Sequence, residues 1–323
     1  MSKTVVGIDV SKETLDVVLL VKEQRRERSF RNDRGGFGQL VSWLGQQQAR
    51  EGHVCLEATG RYSLPVTKYL YEEGVKVSMV NPARIKAYRD SQLKRNKTDR
   101  LDAYVIADFC RTQNPPTWQP PSPEVEELQA LSRYLEDMDG QLQQERNRLS
   151  SGIESEYVIH SITDHMAYLS EQRKAVMTAM DEHIAQHEEL KQQSELLCSI
   201  PGIGKLTAAR LLAEIVDVRR FDNAAQLAAY AGVTPRQFYS GTSVHKKSRM
   251  SKMGNVHLRK ALFMPAISAK KNNPVIREFC QRLEHNGKLK IVAVGAAMRK
   301  LLHLVFGVLK HKTRFDPHYA KSS

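Results

Sequence analysis

The order of apolar runs in the first 80 residues is the feature that most constrains the fold. Runs of β-type composition at 5–10 and 15–20 flank a Ser-Lys-Glu turn, as in a hairpin. A third strand is expected in the charged stretch that ends at Phe30. The later elements are expected as a helix over 37–48, a strand over 53–57, a helix over 62–73 and a strand over 75–80. A hairpin followed by strands that alternate with helices predicts an α/β domain with a mixed sheet.

Two long helices are expected in the middle of the chain. Prolines at 115–123 form a linker, and Ser122 is a suitable N-cap with proline at the first helical position. Apolar residues then recur at near-heptad spacing over 128–149 and 159–180. We interpret them as a coiled-coil segment, formed either as an antiparallel hairpin or between subunits, that acts as a spacer or dimerisation arm. The alternative is a pair of core helices in one globular domain.

A third, mainly α-helical unit begins near residue 193. The sequence Pro-Gly-Ile-Gly at 201–204, followed by apolar residues at helical spacing, is typical of a helix-hairpin-helix element. Such a turn presents backbone N–H groups to a phosphate; a tight turn between packed helices is the alternative. The expected domains are therefore 1–118, 119–192 and 193–312, with a tail over 313–323.

The net charge and the cysteine pattern restrict the class of protein. A formal charge of +13 over 323 residues favours a polyanionic partner, nucleic acid before membrane. No apolar run approaches the roughly 18 residues that a membrane span needs. The four cysteines include no CxxC pair, so neither zinc sites nor a disulfide framework is expected. We therefore expect a soluble protein of a reducing compartment.

A long basic stretch lies in the third unit. No Asp or Glu occurs between Asp222 and Glu278. Solvated surfaces normally mix charges of both signs, so this run indicates phosphate contacts. In its middle, residues 239–244 form a polar loop in which a hydroxyl among cations could act as a nucleophile, although most loop serines have no such role. The candidate nucleic-acid-binding residues are Arg236, Lys246, Lys247, Arg249, Lys252, Arg259 and Lys260.

Four acidic residues are candidate metal ligands. Asp9 and Glu57 interrupt apolar β-type runs, where a charge is costly unless it is paired or bound to a metal. Asp99 and Asp102 lie three residues apart, on one face of an expected helix. Carboxylate oxygens alone suit Mg²⁺ or Mn²⁺. The alternative for Asp99 and Asp102 is a charge pair that complements the helix dipole.

Motifs spread over residues 4–310 resemble one family. The chain resembles insertion-sequence transposases that have an N-terminal DEDD, RuvC-like (RNase H-fold) domain and a C-terminal transposase domain, described as bridge-RNA-guided serine recombinases. The motifs are Gly-Ile-Asp-Val-Ser-Lys at 7–12, Glu-Ala-Thr-Gly at 57–60, Asn-Lys-Thr-Asp-x-x-Asp-Ala at 96–103, Ile-Pro-Gly-Ile-Gly at 200–204, Ala-Gly-Val-Thr-Pro-Arg at 231–236, Ser-Gly-Thr-Ser at 240–243, Arg-Met-Ser-Lys-Met-Gly-Asn at 249–255 and Leu-Arg-Lys-Ala-Leu at 258–262.

The resemblance implies a specific chemistry. The family's four acids fall on Asp9, Glu57, Asp99 and Asp102, which would bind Mg²⁺. Its nucleophile falls on Ser240, with Ser243 as runner-up, and would form a covalent phosphoserine link to DNA. Expected partners are donor and target DNA, a non-coding guide RNA, and further copies of the chain, as a dimer or as a tetramer on DNA. The expected location is the prokaryotic cytoplasm, at the nucleoid when DNA is bound.

Two other functions remain open from the residues. In a metal-dependent junction-resolving endonuclease, the acids would cleave with water and Ser240 would be incidental. In a non-catalytic nucleic-acid-binding protein, substitution of Asp99 and Asp102 would change no activity. Four acids in these settings argue against the second function.

Overall fold

The chain forms two compact units in a computed structural model. The structure describes residues 4–22, 24–92, 99–240 and 244–318. The units are Met1–Pro120 and Pro121–Ser323. The further division expected at residues 192 and 193 stays a prediction.

The first unit is built on a five-stranded mixed sheet, as the sequence predicted. The order across the sheet is β3-β2-β1-β4-β5. Antiparallel pairing joins β1 to β2 and β2 to β3, whereas β1–β4 and β4–β5 are parallel. The strands are β1 (Val5–Val10), β2 (Thr14–Val21), β3 (Gln24–Arg31), β4 (His53–Glu57) and β5 (Val77–Val80).

Helices cover both faces of this sheet. One face packs against α1 (Arg34–Gln46) and α2 (Leu64–Glu72), and the other packs against α3 (Pro82–Ser91) and α4 (Asp99–Gln113). Helix α3 was not predicted, because Ile85 is its one buried residue in a strongly basic stretch. Its start is nevertheless encoded locally, since Asn81 caps the backbone N–H of Ala83 and Pro82 follows at the first helical position.

The two edges of the sheet are protected differently. On β3 every side chain except Phe30 is exposed, and most of them are charged. At the opposite edge, the backbone N–H of Trp118 donates to the carbonyl of Val77 in β5 at 2.7 Å. Charged and covered edges both prevent the pairing of another strand.

The second unit begins with an antiparallel helix pair, α5 (Pro123–Leu149) and α6 (Glu156–Gln186). Ser122 is the N-cap residue of α5, as predicted. The pair forms within one chain, because Asp139 and Arg173 make an ion pair at 2.7 Å and Glu145 lies 3.2 Å from His165. The ends of these helices also join the main core of the unit, so they are more than a projecting arm.

In the described residues, the rest of the second unit consists of helices, their connections and one hairpin. The helices are α7 (Glu188–Cys198), α8 (Lys205–Ile215), α9 (Ala224–Ala231), α10 (Val256–Asn272), α11 (Pro274–His285) and α12 (Lys290–His311), and the hairpin joins β6 (Pro235–Ser240) to β7 (Val244–Met250).

The predicted glycine-rich turn connects α7 to α8. Gly202 has a φ of +105°, and a Cβ there would lie 2.7 Å from the backbone of Ala269 in α10. The turn is therefore packed between helices, while Gly204 and Lys205 at the start of α8 are exposed.

Helix α12 is a long, largely apolar helix of 22 residues. Within the described part of the chain, it is the one helix whose length and composition would allow a membrane span. Many of its apolar residues, including Ala297, Leu301 and Val305, are fully buried in the core of the second unit.

Candidate active site

Asp9 and Glu57 lie on neighbouring parallel strands. Ile8 of β1 pairs with Leu56 of β4, so the two acids are each one residue beyond that pair. Ile8 and Leu56 both pack in the core on the side of α1 and α2. Because side chains alternate along a strand, Asp9 and Glu57 lie on the opposite face, on strands about 4.8 Å apart.

Gly7 brings α4 against this face of the sheet. A Cβ at Gly7 would lie 2.1 Å from the carbonyl oxygen of Ala103 and 2.3 Å from the backbone nitrogen of Ala107. Only a residue without a side chain allows this approach. Since Asp102 precedes Ala103, the contact holds α4 and its carboxylate on the face that carries Asp9.

Asp102 is buried beside Arg89 of α3. Its exposed fraction is 8%. Arg89 Nη2, from α3, lies 2.9 Å from Asp102 Oδ1. Within the described residues, neither this oxygen nor Arg89 Nε completes an aligned hydrogen bond. A buried carboxylate oxygen that completes no hydrogen bond favours a further cation nearby.

Helix α3 is fixed to α4 by a second contact. The Tyr88 hydroxyl donates to Asp108 Oδ2 at 2.7 Å, and burial together with this hydrogen bond raises the pKa of Tyr88. The contact sets the position from which Arg89 reaches Asp102.

Asp16 was not among the candidates from the sequence, but it lies on the same face of the sheet as Asp9 and Glu57. It is the pairing partner of Asp9 in the antiparallel ladder between β1 and β2, and it accepts a hydrogen bond from the Ser29 hydroxyl. Leu15 and Val17 on either side pack toward α1. Like charges opposite each other destabilise a sheet, so Asp16 adds to the need for a cation. The sequence did contain a signal for this pairing: counting residues outward from the hairpin turn sets Asp16 opposite Asp9.

The donor set fits a hard divalent cation. Asp9, Asp16, Glu57 and Asp102 provide oxygen donors on one face of the unit, and Mg²⁺ and Mn²⁺ prefer such ligands. The side chain of Asp99 lies outside the described part of the chain, although its backbone begins α4, one turn before Asp102.

Ser240 is the last residue of β6, directly before residues 241–243. Its backbone pairs with Val244, and the register also sets Arg236 opposite Arg249. The side chains of Ser240, Arg236, Lys246 and Lys247 are outside the described part, and Ser243 lies outside the described residues altogether. The sequence expected a loop at 239–244, whereas strands extend to both sides of residues 241–243.

The remaining basic candidates fall into two groups. Arg249 and Lys252 are exposed. Arg259 is half-buried and donates to the carbonyl of Ala231 at 3.0 Å, and burial lowers its pKa. Lys260 makes an ion pair with Glu136 at 2.5 Å.

Comparisons with known proteins identify the family. A model for DEDD transposases of the IS110 type, described as "Transposase", matches residues 6–157, and one described as "Transposase IS116/IS110/IS902 family" matches residues 194–281. The pilin gene-inverting protein of Moraxella bovis is 37% identical over 323 residues, covering 98% of each chain. The chain belongs to the IS110 family of transposases. The transposase is therefore an enzyme of DNA transposition and recombination.

More distant proteins are also similar to the transposase. The transposase for insertion sequence element IS1111A of Coxiella burnetii is 25% identical, over 80% of this chain and 75% of its own. T. thermophilus RuvC in complex with a Holliday junction substrate covers 36% of the transposase and 99% of the RuvC chain, at 14% identity and a TM-score of 0.28. A structural likeness this small carries no weight in the identification.

Proposed function

We propose that the first unit is an RNase H-like (RuvC-like) nuclease domain whose acids bind Mg²⁺, with Mn²⁺ as substitute. The ligands are Asp9, Glu57, Asp99 and Asp102. The observation that carries this proposal is the common face of Asp9 and Glu57, against which Gly7 allows α4 to bring Asp102. The mixed strand order supports the fold assignment. When bound, Mg²⁺ would polarise a DNA phosphate as a Lewis acid.

Ser240 is the nucleophile in this proposal. Its hydroxyl oxygen attacks a DNA phosphorus, a bond from serine to phosphorus forms, and the bond to the 3′ oxygen breaks, which leaves a 3′ hydroxyl. A 3′ hydroxyl from another strand then attacks the phosphorus and displaces the serine. The phosphodiester energy is conserved, so strand exchange needs no ATP. This chemistry suits inversion, the process in the Moraxella relative's name, as well as transposition.

The hairpin of β6 and β7 holds the DNA backbone in this proposal. Arg236 and Arg249 are cross-strand partners, and opposed cations on a sheet are unfavourable unless an anion lies between them. Lys246, Lys247 and Lys252 are further candidates for phosphate contacts in this proposal. Arg259 and Lys260 already have partners within the protein, which makes them weaker candidates for phosphate contacts.

Sequence specificity comes from a non-coding guide RNA paired with donor and target DNA, while the protein contacts backbones. Further copies of the chain, as a dimer or as a tetramer on DNA, supply the strands for exchange. The enzyme acts in the prokaryotic cytoplasm. Removal of RNA from the purified complex is expected to abolish target choice, and addition of the matching RNA is expected to restore it.

The experiment that tests the serine is a denaturing gel with DNA labelled at its 3′ end. Wild type and Ser243→Ala are expected to give a protein-linked band that Ser240→Ala lacks. Asp102→Asn is expected to lose both cleavage and the link. Retained cleavage with a free 5′ phosphate in Ser240→Ala would instead support the junction-resolving endonuclease without a covalent intermediate.

A further inference from the structure

A second cluster of possible metal ligands lies in the core between β4 and α4. His53 and Cys55 are two residues apart on β4, and Cys110 belongs to α4. All three are buried, and their ligand atoms lie within 4.8 Å of one another. Around one Zn²⁺, two sulfurs at about 2.3 Å can be at most about 4.6 Å apart. The side chains are therefore close to the spacing of a shared ion.

The hydrogen bonds of Ser78 assign the proton on His53. The Ser78 hydroxyl has one hydrogen, and it donates toward the carbonyls of Pro116 at 2.7 Å and Pro115 at 3.2 Å. It must then accept from His53 Nε2, which lies 2.7 Å away. The proton is on Nε2, so Nδ1 keeps the lone pair that a metal requires. A ligand histidine fixed by its other nitrogen is typical of metal sites.

The charge of the cluster also suits a divalent cation. Two thiolates and a neutral imidazole around Zn²⁺ sum to zero, so the complex can be buried without a net charge. Sulfur ligands select thiophilic metals, whereas the carboxylates nearby select Mg²⁺.

We propose that His53, Cys55 and Cys110 form a binding site for a thiophilic d¹⁰ cation, Zn²⁺, that fastens α4 to β4. The cysteine pattern predicted no zinc site, because no CxxC pair occurs. The fold nevertheless brings together Cys55 and Cys110, which are 55 residues apart in the sequence. Cys55 precedes Glu57 on the same face of β4, and Cys110 lies eight residues after Asp102 on α4. The site is separate from the acids and binds a different class of ion.

The test uses Cd²⁺ as a probe on the reduced full-length chain, because thiolate coordination to Cd²⁺ produces an ultraviolet charge-transfer band that carboxylates do not. Wild type is expected to develop the band with one equivalent of Cd²⁺. Cys55→Ala and Cys110→Ala are expected to lose it, while Cys280→Ala, which removes a buried thiol of the second unit, keeps it. Ser78→Ala is expected to weaken Zn²⁺ binding about 10–100-fold in chelator competition.

Two results would overturn the site: no band in wild type, or a band that survives Cys110→Ala. Cadmium-113 NMR of the wild type covers the case in which the cysteine variants do not fold. A resonance in the range of mixed sulfur and nitrogen donors supports the site, and an oxygen-only resonance alone refutes it. Neither readout involves DNA, so the result is independent of the proposed strand chemistry.

Discussion

Arg89 acts at the residue scale as a built-in counter-ion for Asp102. Both side chains are mostly buried, with 20% and 11% of their areas exposed. We predict that Arg89→Met lowers the stability of the metal-free protein by about 1–3 kcal/mol, because a buried carboxylate loses its partner. Mg²⁺ should restore part of that loss, since the proposed metal site uses the same carboxylate. Thermal unfolding with EDTA and with Mg²⁺ measures both effects.

Arg111→Met is the matched control for this prediction. Arg111 pairs with Asp108 on the same helix but is more exposed. Its variant should show the same Mg²⁺ response as the wild type. If Mg²⁺ raised the thermal stability of both variants by the same amount, the prediction that Arg89 and the metal share Asp102 would be wrong.

The carboxylate of Asp16 gives a second prediction at this scale. Asp16→Asn should stabilise the metal-free protein by about 0.2–1 kcal/mol, because it removes a like charge opposite Asp9. It should also weaken Mg²⁺ binding, which calorimetric titration measures. Glu13→Gln, in the exposed turn beside β2, should change neither quantity. A less stable Asp16→Asn protein with unchanged Mg²⁺ affinity would contradict the shared site.

At the scale of elements, the contact between Gly7 and α4 holds Asp102 on the face of the sheet that carries Asp9. Gly7→Ala should destabilise the protein by roughly 1–3 kcal/mol, because α4 must move to accept a methyl group. DNA cleavage should fall as Asp102 moves with the helix. Gly45→Ala in α1 is the control, since a Cβ there meets no atom within 4 Å. Its expected gain is about 0.5–1 kcal/mol. Urea unfolding and a cleavage assay measure the two effects.

Helices α5 and α10 are joined by an acid-sensitive contact. Burial alone would raise the pKa of Glu136, but hydrogen bonds from Lys260 and His257 outweigh it and lower the pKa. A carboxyl group whose pKa is lowered in the folded state stabilises the protein fully at pH values above the group's ordinary pKa of 4.5. This contribution is lost as the pH falls through the lowered pKa. Glu136→Gln should therefore flatten the decline in melting temperature below pH 4.5. Glu127→Gln, exposed on α5, should not.

Local sequence patterns were enough to predict the strands of the sheet, but not which side chains the packing of the helices would bring together. Apolar runs separated by turns identified β1, β2 and β4, because strand formation depends on nearby residues. The position of Cys110 beside His53 depends on how α4 packs, which no local pattern encodes. Glu145 is a polar residue within the heptad pattern of α5; it is buried, and its partners are Arg148 on the same helix and His165 of α6, a contact that depends on how the two helices pack.

At the scale of the whole molecule, the net charge of +13 should make DNA binding depend strongly on salt. We predict that Lys247→Gln reduces the slope of log affinity against log salt by about 0.9, the value for one phosphate contact. Lys260→Gln should leave the slope nearly unchanged, because Lys260 is paired with Glu136. Fluorescence anisotropy over a salt series measures both slopes. Equal changes in the two variants would refute this division of the basic residues.

The protected edges of the sheet have a consequence for crowding. The proposed strand exchange gathers copies of the chain where two DNA segments meet, and open strands at that local concentration would seed fibrous aggregates. The charged side chains of β3 oppose the pairing of another strand at that edge. At the other edge, the backbone of Trp118 already occupies a hydrogen-bonding position of β5. The five-stranded sheet is therefore closed to pairing with another copy at both edges, so the copies can separate again after the proposed rejoining of strands.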